Sequence, residues 1–280
     1  MECVHCLSMK IAVLVPFRDE PAQNRRAHLD KFMTDMPAVL DAALGVGNWR
    51  IYIGMQPHDG HKFARGRLLN AIFRTAVHEY PECDRVILHD VDLIPDIERA
   101  KGYAHPMAPS KQILALNTTG EYSGMIHYIG GICAMEPSTF YEVDGFPNEM
   151  EGWGGEDDAF RDRLPAFAID QYTSGNVQNL EMDPCHVGMY KRAKNHDEFK
   201  SVKEHRREIR TLWKNGDPSV TGYSELLSSK RRLPLIPIPH HSIVLYEHDI
   251  FGWSRITSRT TGKTYYVHPQ TQVTQWTLPS

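Results

Sequence analysis

Arg85-Val86-Ile87-Leu88-His89-Asp90-Val91-Asp92 (RVILHDVD) runs from an apolar segment straight into two carboxylates one residue apart. A short aliphatic run of this kind suits a strand buried on both faces. In open α/β sheets ligands gather beyond the carboxyl ends of the strands, so Asp90 and Asp92 stand where a site would form. Two acids so spaced hold a hard cation whose charge offsets a diphosphate. The plainer alternative is a turn or helix cap, where Asp is common.

The chain to the N-terminal side repeats the strand and supplies the helices. Ile11 to Val15 (IAVLV) reads as a buried strand closed by Pro16, Arg50 to Gly54 (RIYIG) as a second, and Arg85 to His89 as a third. Between the first two, Gln23 to Leu44 carries Leu29, Phe32, Met33, Met36, Val39, Leu40 and Leu44 at three- and four-residue steps, a helix with one buried face. Gly66 to His78 reads as another helix. This alternation implies an α/β layer with mainly parallel strands. Behind the first strand, Pro16-Phe17-Arg18 offers a guanidinium to a base or phosphate.

A second unusual stretch is Gly152-Trp153-Gly154-Gly155-Glu156-Asp157-Asp158 (GWGGEDD). Three glycines destabilise a helix or strand interior, and three adjacent acids repel. Glycines admit close backbone approach to a ligand, Trp153 gives a flat apolar face, and the acids accept hydrogen bonds or act as a base. These are the parts of a sugar-binding corner, although a lone Trp is often plain core.

Composition narrows the alternatives. The 280 residues allow one large domain or two smaller ones, and 41% hydrophobic residues build a normal core. A net charge of -4, from 31 basic and 35 acidic residues, argues against a nucleic-acid-binding surface. The basic runs Arg206-Arg207 and Lys230-Arg231-Arg232 read as solvated faces. No stretch approaches the ~20 apolar residues of a membrane span, and Met1 to Lys10 lacks a signal-peptide core. The expectation is a cytoplasmic or otherwise soluble protein. The odd, scattered cysteines, Cys3, Cys6, Cys83, Cys133 and Cys185, fit reduced thiols. Cys3 and Cys6 have half the spacing of a zinc site but no second pair to complete it.

Six motifs now stand in order: Val15-Pro16-Phe17-Arg18, Phe63-Ala64-Arg65-Gly66-Arg67-Leu68-Leu69-Asn70, Asp90-Val91-Asp92-Leu93-Ile94-Pro95, Tyr128-Ile129-Gly130-Gly131, Asp144-Gly145-Phe146-Pro147-Asn148 and GWGGEDD. Together, over roughly Lys10 to Lys200, they closely resemble the β-1,4-galactosyltransferase family, glycosyltransferase family 7. The resemblance implies a GT-A-type α/β fold and transfer of galactose from UDP-galactose to a saccharide or glycoconjugate hydroxyl, with inversion and with manganese. It implies that Pro16, Arg18, Phe63, Arg65, Asp90, Val91 and Trp153 hold the nucleotide sugar, that Asp92 binds the metal, and that Asp157 is the general base, with Glu156 beside it. Tyr128, Gly155, Glu156 and Asp158 would contact donor and acceptor sugars. Tyr128, just ahead of the Ile-Gly-Gly run, would crowd the second carbon of the sugar and favour galactose over N-acetylgalactosamine.

Further metal ligands are implied in Met182-Asp183-Pro184-Cys185-His186. The commoner family spacing puts Met and His three apart, whereas here Met182 and His186 are four apart and Asp183 takes the three-residue offset. His186 is the expected ligand, Asp183 a second, and Met182 a reserve. A carboxylate in place of a thioether favours harder cations, so another divalent ion would serve. The polar stretch Gly188 to Phe199 corresponds to a lid in the family and reads equally as a surface loop.

The expected domains are a catalytic unit over 10–233, a proline-rich linker over 234–249, in which alternating prolines favour an extended linker or surface strand, and a C-terminal unit over 250–280. That last unit, with Trp253 and Trp276 bracketing turns and a β-rich Thr264 to Val267, resembles a WW domain, an all-β module that grips proline-rich peptides. The resemblance implies a groove of Tyr265, Val267, Thr274 and Trp276. The His usual seven residues before the second Trp is Pro269 here, so packing against the catalytic unit is an alternative role. A rival for the whole chain is a lectin-like binding protein on the same scaffold. Keeping both the DxD and all three of Glu156, Asp157 and Asp158 favours the enzyme.

Overall fold

In the computed structural model, which describes residues 9–58, 61–116, 128–152, 154–165, 167–180 and 197–228 and the strands 235–236, 243–247, 254–257, 264–267 and 274–275, the sheet begins with β1 (Ile11–Phe17), buried along its whole length. Alternate residues of β1 serve opposite layers. Ile11, Val13, Val15 and Phe17 meet Leu29, Phe32, Met36 and Leu40 of α1 (Arg25–Leu44). Ala12 and Leu14 meet Leu68, Leu69, Ile72, Phe73 and Ala76 of α2 (Arg65–Glu79). The sequence periodicity thus marks the face of α1 that is buried. The first strand runs through Pro16 to Phe17 rather than closing at it.

β2 (Trp49–Met55) and β3 (Arg85–His89) lie parallel to β1 on its two sides. β4 (Leu93–Pro95) leaves the main sheet, and α3 (Ile97–Lys101) follows, with the Asp96 side chain accepting from Arg99 N–H as an N-cap. β5 (Ile113–Ala115) and β6 (Ile132–Met135) enter next to β3, with β6 antiparallel to both β3 and β5. Then come α4 (Pro137–Glu142), α5 (Glu156–Asp162), β7 (Ile169–Gln171), parallel to β5, and β8 (Val177–Asn179), which pairs antiparallel with β4. Two helices, α6 (Asp197–Lys214) and α7 (Tyr223–Ser228), precede the last strands, β9 (Leu235–Ile236) and β10 (Ile243–Glu247). The main sheet has the order β7-β5-β6-β3-β1-β2-β10-β9.

The stretch 234–249, read as a linker, therefore carries two strands of the main sheet: β10 lies parallel to β2, and β9 antiparallel to β10 at the edge. The physical reason is positional. Pro234 and Pro237 flank a two-residue strand that has a neighbour on one side only, and prolines are tolerated at sheet edges, where no ladder donor is lost. Beyond it, β11 (Ser254–Thr257), β12 (Thr264–Val267) and β13 (Thr274–Gln275) make a separate three-stranded antiparallel sheet. Among the described residues no helix is long and apolar enough to cross a membrane.

The ordered motifs are tied together underneath the site. Fully buried Asn70 of α2 donates to Phe146 O (2.8 Å) and to Asn148 Oδ1 (3.0 Å), while its own oxygen accepts from Phe146 N–H (2.9 Å). Leaving any of these groups unpaired in the core would cost on the order of 1–3 kcal/mol. Ile209 and Trp213 of α6 complete a smaller core with Met150, Ala159 and Val220, which docks α6 against α5.

Candidate active site

The carboxyl ends of β1 and β3 and the N-terminus of α5 converge through arginines. From β3 the chain turns at Asp90, whose Oδ1 accepts from Nε (2.9 Å) and a terminal nitrogen (2.7 Å) of Arg65, the first residue of α2. The other terminal nitrogen of Arg65 lies 3.5 Å from Glu156. Burial would lower this guanidinium's pKa, but Asp90, Glu156 and Asp157 raise it above its ordinary value. Arg65 thus bridges the DxD to the acidic end of α5.

Asp92 is buried, and its neighbour Val91 packs in the α1-side core. One Asp92 oxygen accepts from Arg25 at the start of α1 (3.0 Å), and its main-chain carbonyl accepts from Leu180 N–H (2.8 Å). Burial raises its pKa; Arg25 opposes the shift and nearby Asp90 adds to it. Arg18, directly after β1, donates to His61 O (2.7 Å), and its Nε is buried with no hydrogen-bond partner among the described residues. Pro16 lies within β1 opposite Gly54. Phe63 packs on the α2-side core, and its carbonyl accepts from Gly152 N–H (2.8 Å), joining the nucleotide-side loop to the glycine arc.

That arc has Gly152, Gly154 and Gly155 at φ of 78°, 86° and 93°, left-handed conformations that glycine adopts without strain. It delivers Glu156, Asp157 and Asp158 into the first turn of α5, where the helix dipole favours negative charge. This location explains how three consecutive acids are tolerated. Glu156 is buried and its pKa is pushed up to about 7, chiefly by desolvation and then by Asp157, with Arg65 opposing. Desolvation also raises Asp157, again against Arg65. An added Cβ at Gly130 would stand 2.4 Å from the Tyr128 hydroxyl and 2.6 Å from an Asp157 carboxylate oxygen. Tyr128 and the expected base therefore meet over the same glycine. Asp158 turns outward, 2.7 Å from Arg161 and 3.9 Å from Arg210.

Several partners escaped the sequence reading. Arg206, read as part of a solvated run, instead donates to Glu151 O (3.1 Å) and covers the glycine arc, its guanidinium 2.9 Å from where a Cβ on Gly152 would stand; Arg207 is the exposed one. Arg210 forks onto Asp162. Arg25 had no mark in the sequence beyond its place at the start of a helix. Trp153, Asp183, His186 and Trp276 lie outside the described residues, and for Tyr265, Val267 and Thr274 the description is of the backbone. Among the described residues no group of three or more His, Cys, Asp or Glu side chains is arranged to hold a metal ion.

Comparison with known proteins places this geometry in a class. The family model for the N-terminal region of glycosyl transferase group 7 matches residues 1–103, the model described as N-terminal domain of galactosyltransferase matches 111–194, and the WW domain model matches 251–279. Human β-1,4-galactosyltransferase 3 is 34% identical over 188 residues, covering 66% of this chain and 42% of that protein. Human β-1,4-galactosyltransferase 4 is 37% identical over 161 residues, 55% of this chain and 42% of that one. The chain thus spans less than half the length of these relatives. A mutant of Drosophila β-1,4-galactosyltransferase 7, solved with manganese, UDP-Gal and xylobiose, superposes with a TM-score of 0.61 at 22% identity, over 85% of this chain and 93% of that one. The fold is that of the GT-A-type glycosyltransferases. The chain belongs to the β-1,4-galactosyltransferase family, glycosyl transferase group 7, and carries a WW domain at its C-terminus.

Proposed function

We infer that the chain transfers galactose from UDP-galactose to a saccharide hydroxyl by a single inverting displacement. The observation that carries this reading is the placement of Asp157. Its carboxylate has a pKa raised by burial, stands over Gly130 beside Tyr128, and feels the charge of Arg65, which is hydrogen-bonded to Asp90 of the DxD. A base needs hydrogen-bond reach to the acceptor hydroxyl and a proton affinity above that of a free carboxylate; Asp157 takes the proton as the hydroxyl oxygen attacks the sugar, and UDP leaves. Glu156 and Asp158 flank it as sugar-orienting groups. Pro16, Arg18, Phe63, Arg65, Asp90 and Val91 form the nucleotide side, with Trp153 covering it.

A divalent cation fits the donor set at Asp92. This carboxylate is a hard oxygen donor, is buried, and has its ionised form opposed by desolvation more than Arg25 and a backbone hydrogen bond offset it; a cation favours the charged form. His186 and Asp183 would supply the other protein ligands. When bound, such an ion neutralises charge on the departing diphosphate. The relative solved with manganese and UDP-Gal supports the assignment. The WW domain is read as a proline-rich peptide binder through Tyr265, Val267, Thr274 and Trp276. The test is a saccharide acceptor array with UDP-galactose and manganese, read by mass spectrometry. Addition of one hexose to a terminal sugar is expected, whereas binding without hexose transfer would support a lectin-like protein.

A further inference from the structure

β10 places the WW domain relative to the candidate site. It runs parallel to β2 with Glu247 opposite Met55, and Met55 is opposite Phe17 of β1. The end of β10 is therefore two strand spacings, roughly 10 Å, from the residue that precedes Arg18. β11 begins at Ser254. The six intervening residues, 248–253, let Ser254 stand at most about 25 Å from Glu247 even when fully extended. The domain is thus tethered at the carboxyl edge of the sheet, where the donor side forms, rather than at the opposite edge.

The register of the small sheet supplies a binding face. Tyr265 is opposite Ile256, and Val267 is opposite both Ser254 and Thr274. Strand alternation puts Tyr265, Val267 and Thr274 on one face. The chain's own proline-rich segment is an unsuitable occupant, because Leu235 and Ile236 between its prolines are already paired with β10. The occupant is then an outside chain, and proline-rich segments are what such aromatic-lined faces accept.

We propose that the WW domain captures a proline-rich stretch of a polypeptide acceptor and holds a sugar on that same polypeptide at the Asp157 site, so that the preferred substrate class is glycosylated, proline-rich protein. This rests on the transferase reading above. Short tethering raises the local acceptor concentration to the order of millimolar, which lowers KM without altering the chemical step.

The test uses the full chain, UDP-galactose and two synthetic glycopeptides bearing the terminal sugar selected by the acceptor array. One carries a proline-rich run about ten residues from the sugar, a spacing a flexible segment bridges; the other has those prolines replaced. The expected result is a kcat/KM at least ~10-fold higher for the proline-rich glycopeptide, carried by KM. Excess sugar-free proline-rich peptide should erase that advantage and leave transfer to the free sugar unchanged. Tyr265→Ala should bring the ratio of the two kcat/KM values near one, a ratio within a single protein that general loss of folding cannot mimic. Equal kcat/KM for the two glycopeptides in the unmodified chain, or an advantage that survives both competitor and Tyr265→Ala, would overturn the proposal. Absence of transfer to any free sugar would instead fail the transferase reading, and the proposal with it.

Discussion

The two acidic corners of the molecule are built from the same residue types and held differently. At the DxD, each carboxylate faces an arginine at hydrogen-bonding distance: Asp90 with Arg65 and Asp92 with Arg25. At the head of α5, Glu156 is 3.5 Å from Arg65, and Asp157 receives that arginine's charge without a direct fork. The first corner therefore sets each acid directly against a guanidinium, although burial still raises the Asp92 pKa. The second leaves its acids under-compensated, with Glu156 pushed up to about 7 and Asp157 raised by burial. In the function proposed above, binding and proton transfer divide between two corners that share one arginine.

If the DxD corner holds a divalent ion, stripping such ions should have the largest effect. Chelator is expected to abolish hexose transfer and manganese to restore it, with Asp92→Ala raising the manganese requirement; full activity in chelator would erase the distinction between the corners. Breaking the shared arginine comes next. Arg65→Lys keeps a positive charge but cannot reach Asp90 and Glu156 with one planar fork. It is expected to cost about 3 kcal/mol of stability and to weaken UDP-galactose binding, measured by chemical unfolding and calorimetry. A neutral outcome in both would mean that the two corners are independent.

A smaller effect concerns the donor-sugar preference proposed for Tyr128. Tyr128→Leu should widen use of UDP-N-acetylgalactosamine relative to UDP-galactose, on the scale of ~1–3 kcal/mol that crowding of a small substituent carries. Direct donor competition measures it, and an unmodified protein that prefers the N-acetyl sugar would contradict it. The smallest effect is on pH-dependent stability. The Glu156 pKa is higher folded, about 7, than its ordinary 4.5. Its stabilising contribution is therefore full below about pH 4.5 and lost as pH rises through 7. Glu156→Gln should flatten the fall of Tm between about pH 5 and pH 8, and an unchanged slope would place the group outside the desolvated corner.

Local pattern made much of this legible. The strand at Arg85–His89 and the buried face of α1 follow from apolar runs and helical spacing, and the glycine arc announced an unusual backbone. The arginine partners did not show, because Arg25 with Asp92 and Arg65 with Glu156 are contacts between residues distant in sequence, and no periodicity encodes them. Arg206 was misread for the same reason: in a polar helix nothing marks which basic residue turns toward the glycines. In the 234–249 stretch the prolines allowed an extended linker or a surface strand, and β9 takes the strand form at the sheet edge, although its pairing with β10 had no local mark.

The division of labour is tested most directly at Asp157. Turnover and UDP-galactose affinity should be measured together for Asp157→Asn, an exchange that keeps shape and removes the proton acceptor. The expected result is turnover lowered by ~10²-fold or more with nucleotide-sugar affinity nearly intact. Near-native turnover, or loss of donor binding in proportion to loss of rate, would contradict the assignment of proton transfer to the head of α5.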